Sequence, residues 1–181
     1  MSPALRKRSV ACVPLLALLC ACQGNRPAPM PTVEHVDLQR FMGAWYVIAS
    51  IPTAIEREAY DAVETYTLQP DGSIGTVFTF RKGSSGGPPK RYTPKGFVLD
   101  QQSNALWGMQ FVWPVKADYR IIHLSPDYSL TVIGRQKRDY VWIMARTPQI
   151  PESEYQRLLQ FVAEQGYDPA RLRRVPHGAS P

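Results

Sequence analysis

Residues 37–46 read Asp37-Leu38-Gln39-Arg40-Phe41-Met42-Gly43-Ala44-Trp45-Tyr46. Trp45 opens a run rich in Val, Ile and aromatic residues, so one large ring stands where the first strand begins. A ring in that place can plug the floor of a closed sheet. Gly-x-Trp-Tyr alone is short enough to arise by chance, so its meaning depends on the chain downstream of it.

Downstream comes a succession of short strand-like runs: Trp45–Ile51, Ala62–Gln69, Ile74–Arg81, Gly96–Asp100, Ala105–Trp113, Tyr119–Leu124, Ser129–Gly134 and Tyr140–Ala145. Turn chemistry separates them. In Gln69-Pro70-Asp71-Gly72 the proline fixes φ and the glycine tolerates a positive one, Ser125-Pro126-Asp127 parts two further runs, and Gly83 to Pro89 reads as a loop. Strands at this density leave no room for βαβ crossovers and predict an all-β domain. Eight is a number at which an antiparallel sheet can close on itself around one small ligand. After Pro148 and Pro151 the period changes: Tyr155, Leu158, Leu159 and Val162 follow helical spacing, and Gly166 is placed to end the helix. The only surface such a helix can cover is the outside of the sheet.

Two further signatures accompany residues 43–46. Asp118-Tyr119 opens the sixth run, and Arg146-Thr147-Pro148 comes after the eighth, just ahead of the helix. In this order around eight strands they resemble the lipocalin family, over about residues 33–168. The stretch from Arg138 to Pro148 is similar to that of bacterial outer-membrane lipocalins and their apolipoprotein D-like relatives. The resemblance implies an eight-stranded antiparallel up-and-down β-barrel with one C-terminal α-helix packed outside. It also makes Gly43, Trp45, Tyr46 and Arg146 structural, and the Arg146 guanidinium is suited to stack on the Trp45 ring.

Strand alternation puts residues i and i+2 on one face. One face of the eighth run carries Tyr140, Trp142 and Met144; the fifth carries Trp107, Met109 and Phe111. The third carries Thr76, Phe78 and Phe80, the second Glu64, Tyr66 and Leu68, and the sixth Tyr119, Ile121 and His123. Register with the family turns these faces inward. The candidate ligand contacts are Tyr66, Phe78, Trp107, Met109, Phe111, Tyr119, Tyr140, Trp142 and Met144, an apolar, aromatic wall suited to an acyl chain. The alternative is that the same side chains fill a solid barrel. Lys82, Lys90, Arg91, Lys95, Lys116 and Arg135 stand in or beside turns as candidate headgroup contacts. Glu64 is anomalous: facing inward it needs a partner or a shifted pKa, whereas a slip of one residue puts it in water.

The chain has 181 residues, a net charge of +6 and 3 cysteines, Cys12, Cys20 and Cys22, all ahead of the first aromatic residue, Phe41. The body therefore has no disulfide, thiol nucleophile or cysteine zinc site. Leu5-Arg6-Lys7-Arg8 and the apolar run Val10–Leu19 read as a secretory signal, too short for a spanning helix. Leu19, Ala21 and Cys22 resemble the bacterial lipoprotein signal, which implies lipidation of Cys22; Gln23 after it implies the outer membrane. Loss of residues 1–21 removes Arg6, Lys7 and Arg8 and no acid, which halves the positive charge and weakens any case for nucleic acid. The expected organisation is signal 1–21, lipidated cysteine and flexible tether 22–32, barrel plus helix 33–176, and tail 177–181.

No metal-ligand spacing, phosphate loop or nucleophile motif is present, so no cofactor, metal or catalytic group is expected. The reading is an outer-membrane-anchored lipocalin, not an enzyme. It binds a fatty acid, lysophospholipid or similar amphiphile for lipid storage, transport or envelope maintenance. Two alternatives stand beside it: an envelope interaction protein, to which homodimerisation would belong, and a lipocalin-like enzyme acting on a lipid or isoprenoid.

Overall fold

The computed structural model describes residues 28–178. A single turn of helix, α1 (Leu38–Phe41), leads into strands β1 (Gly43–Ile51), β2 (Ala59–Leu68), β3 (Ile74–Lys82), β4 (Pro89–Tyr92), β5 (Lys95–Val98), β6 (Leu106–Val112), β7 (Val115–Leu124), β8 (Leu130–Gly134) and β9 (Val141–Ala145). Helix α2 (Glu152–Glu164), a 3-10 turn and the two-residue strand β10 (Arg173–Arg174) complete it. Sequential strands pair antiparallel, and β9 returns to β1, from Tyr46↔Ala145 to Ile51↔Val141. The sheet is thus a closed up-and-down barrel. β4 and β5 are two halves of one of its eight staves, parted at Thr93-Pro94, where proline offers no N–H to the ladder.

Alternation sorts the side chains into two layers. Inside lie Trp45, Val47, Tyr66, Ile74, Phe78, Trp107, Met109, Tyr119, Ile121 and Met144. Outside, Val132, Val141, Ile143 and Ala145 meet Tyr155, Leu158 and Val162 of α2. Glu152 and Glu154 occupy the first turn of α2, where the helix dipole favours acids, and Gly166 at φ 85° carries the chain out of it.

Chain segments ahead of the first strand run the length of the barrel. Ala28 meets the β8–β9 loop, Met30 is buried in the outer layer, and Val33 and Val36 donate to the Ile121 and Ser103 carbonyls. The expected tether is therefore packed on the body from Ala28 onward. At the far end His177 reaches the Val47 carbonyl at 2.9 Å.

The helix ends and most strand limits fall within a few residues of those read from the sequence. One face differs. Expected beside Tyr119 and Ile121 on the inner side, His123 instead packs outside against Phe161 of α2, ring centroids 5.2 Å apart. The cause is a bulge between Ile121 and His123, whose extra residue inverts the alternation.

Candidate functional site

The lower half of the barrel is filled. Phe41, Trp45, Tyr66 and Trp107 are fully buried there and meet as aromatic pairs 5.0–5.7 Å apart, and Tyr119 stacks on Trp107 at 5.3 Å. Trp45 Nε1 donates to the Phe41 carbonyl at 2.9 Å. The Arg146 guanidinium lies 3.8 Å over the Trp45 ring and donates to the carbonyls of Arg40, Phe41, Ala44 and Tyr128. Gly43, at φ 94°, lets the chain turn beneath it; even a Cβ there would stand 3.4 Å from the guanidinium. Tyr46 lies on the outer side, edge-on to His177.

Above this plug the barrel is hollow. A cavity of about 570 Å³ opens between the β1–β2, β6–β7 and β8–β9 connections, within the ~300–1,000 Å³ of typical ligand pockets. Phe78, Met109, Phe111, Tyr119, Tyr140 and Trp142, six of the residues read from the sequence, line it together. Tyr66, Trp107 and Met144 do not. They face the same interior, but one layer lower, where the aromatic plug leaves them no open space. Sequence reasoning missed Thr53, Ala54, Ile55 and Glu56 of the β1–β2 loop, together with Tyr92, Val112, Ala117 and Asp118. Tyr92 was hidden by the prolines at 88, 89 and 94, which disguised a strand as a loop.

Of the candidate basic contacts, only Arg135 reaches this cavity. Its guanidinium meets Asp139 at 3.4 Å and lies 5.2 Å from the Tyr140 ring centre, and its buried Nε has no partner among the described residues. Lys82 and Lys90 border a smaller hollow next to the mouth, and Lys95 pairs with Asp71 at the closed end, at 2.9 Å.

Two carboxyl groups serve the lining. Glu56 accepts from Trp142 Nε1 at 2.9 Å and from the Thr53 amide, which pins the loop across the mouth. Glu64 faces the cavity just above the plug, bonded to the Tyr66 hydroxyl, which in turn meets Tyr119 Oη at 2.6 Å. Burial, and then repulsion from Glu56, push the Glu64 pKa up to about 8. The carboxyl is therefore protonated at neutral pH and presents no charge to an apolar guest. Burial also raises the Tyr119 phenol well above its usual range. Among the described residues no group of three or more His, Cys, Asp or Glu side chains is placed to hold a metal.

A family profile described as a lipocalin-like domain matches residues 36–177. Temperature-induced lipocalin-1 of Arabidopsis thaliana is 33% identical over 161 residues, covering 84% of this chain and 85% of that protein. The outer membrane lipoprotein Blc of Citrobacter freundii is 29% identical over 169 residues, 90% of this chain and 92% of its own. Among solved structures, insecticyanin from the tobacco hornworm Manduca sexta superposes with a TM-score of 0.65 at 14% identity, over 84% of this chain and 86% of that one; this likeness concerns the fold alone.

Proposed function

Since the chain belongs to the lipocalin family, we propose that it is a binding protein rather than a catalyst and holds a single-chain amphiphile, a fatty acid or lysophospholipid, in the cavity. The observation that carries this reading is the hollow upper half of the barrel, walled by Phe78, Met109, Tyr119, Tyr140 and Trp142. The acyl chain runs down this wall toward Glu64, which is uncharged at neutral pH, and an anionic head stays at the mouth beside Arg135. Reversing that orientation would carry the anionic head past Arg135 to the bottom of an apolar cavity, where Glu64 is the nearest polar group. Cys22 and the signal lie outside the described residues. Lipidation of Cys22 and attachment to the outer membrane, for lipid storage or transport in the envelope, belong to the same proposal. The name of the Citrobacter freundii relative supports them.

The test is a fluorescence titration of a Cys22→Ser chain with oleate and with a lysophospholipid. Saturable quenching of tryptophan emission is expected, with Trp142 as the principal reporter, and Trp142→Ala should weaken binding about tenfold. Emission unchanged by either ligand would overturn the proposal.

A further inference from the structure

The hairpin joining β6 to β7 ends in Phe111-Val112-Trp113-Pro114-Val115, and its large apolar side chains point into solvent. Phe111 is 53% exposed, Val112 72%, Trp113 82% and Val115 68%. Scattered apolar residues on a surface need no explanation, but a contiguous protruding set marks a contact. The tip is continuous with the cavity, since Phe111 and Val112 also line it. Beside it the barrel wall is open. β4 pairs with β3 alone, and the β5–β6 ladder stops at Lys95↔Gln110, so no backbone pairing joins Tyr92 to Phe111.

We propose that this open end is a membrane-docking surface: the β6–β7 tip inserts into the headgroup layer of a bilayer bearing anionic lipid, with the cavity mouth facing the lipid. Tryptophan is suited to this depth, with an apolar ring and one polar N–H. Charge at the same end fits the partner. Exposed Lys90 and Arg91 form no ion pair among the described residues, and Lys116 holds its ammonium 3.8 Å over the Phe97 ring. Of the nearby acids, Glu58 is engaged by Lys82, Asp139 by Arg135 and Asp118 by Arg120, and Glu56 accepts from Trp142 and Thr53. Each unpaired basic residue near an anionic surface strengthens binding about fivefold. The chain ahead of the barrel emerges at this end too, because the Ala28 carbonyl accepts from Gln136 and Arg138 of the β8–β9 loop. Five residues lie between Cys22 and Ala28, six steps along the chain and a reach of at most about 20 Å. An acyl group on Cys22 would hold the mouth, not the plugged floor, against the bilayer. The docking stands on the tip and its charge; its use, passing an acyl chain between bilayer and cavity without crossing water, rests on the amphiphile-binding reading.

Co-sedimentation of the full chain carrying Cys22→Ser with phosphatidylglycerol–phosphatidylcholine vesicles tests it, with no ligand added. Binding is expected to fall at least tenfold in a Trp113→Ser/Val115→Ser variant, neither residue lining the cavity. It should also fall about tenfold in Lys90→Glu/Arg91→Glu, and weaken in high salt. The N-terminal apolar run is common to all these chains, so the differences report the tip and its charge. Trp113 should be quenched by phospholipid brominated near the headgroup. Equal vesicle binding by the tip variant would overturn the proposal. So would a wild-type chain that ignores vesicles but forms a dimer that the same substitutions dissolve. A chain that binds vesicles but quenches with neither oleate nor lysophospholipid keeps the docking and removes only its lipid-transfer use.

Discussion

Glu64 sits across the ladder from Trp45 on one side and Phe78 on the other, so its carboxyl shares the inner face with two apolar rings. An unfolded chain releases this proton near 4.5, whereas the folded protein holds it to about 8. Below the lower value both states are protonated and Glu64 makes no pH-dependent contribution. Between the two, only the unfolded state gains by ionising, so stability falls as pH rises, and above about 8 the loss is complete. Because Glu64 lines an open cavity rather than packed core, the penalty is moderated and should reach roughly 2–4 kcal/mol. Glu64→Gln stays neutral at every pH. Thermal unfolding of the two proteins at about pH 5 and pH 9, either side of this window, should show the wild type losing ground to the variant at the higher pH. Parallel pH dependence would refute the inward, shielded carboxyl. Glu64 was already visible in the sequence as an acid on an apolar face with Tyr66 two residues on, but not its full environment, because Tyr119, which bonds the Tyr66 hydroxyl, comes from a strand far along the chain.

Helix α2 illustrates what an element contributes without touching the site. Leu158 is fully buried between the helix and the outer face of β8 and β9. Leu158→Ala should cost about 2–5 kcal/mol in a urea unfolding curve, from lost burial and the space left behind. Ligand affinity should stay within about twofold, since none of the cavity residues belongs to the buried part of that layer. The limits of α2 were readable because Pro151 and Gly166 bracket a single apolar stripe. β4 was not readable. Pro88 precedes it, Pro89 opens it and Pro94 lies just beyond, and only pairing with β3 keeps its four residues extended. His123 escaped for a related reason: a bulge leaves no mark on the pattern of residue types.

For the whole molecule the decisive fact is that one barrel is solid at one end and hollow at the other. Composition could not divide it so, because Trp107 in the plug and Trp142 in the cavity wall belong to equally apolar strands. The division depends on height along the barrel, which is set by register and by the short α1 lid that drives Phe41 beneath the floor. A guest in the hollow half binds only the folded state. At a free concentration about 100-fold above its Kd it should therefore raise the unfolding free energy by about 2.7 kcal/mol, seen as a higher thermal midpoint. An unmoved midpoint would place any bound lipid on the exterior. The pairing of β1 with β9 has a consequence of a different kind. Its partners, such as Tyr46 and Ala145, come from opposite ends of the domain, while every other pair of adjacent staves joins neighbours in the chain. Hairpins made of neighbours assemble early, and the seam, with the largest loop to close, assembles last. One edge of the first strand must wait unpaired until the ninth is in place. Arg146, just beyond β9, arrives with it, so the residue that clamps the Trp45 floor is supplied at the moment the ring can shut.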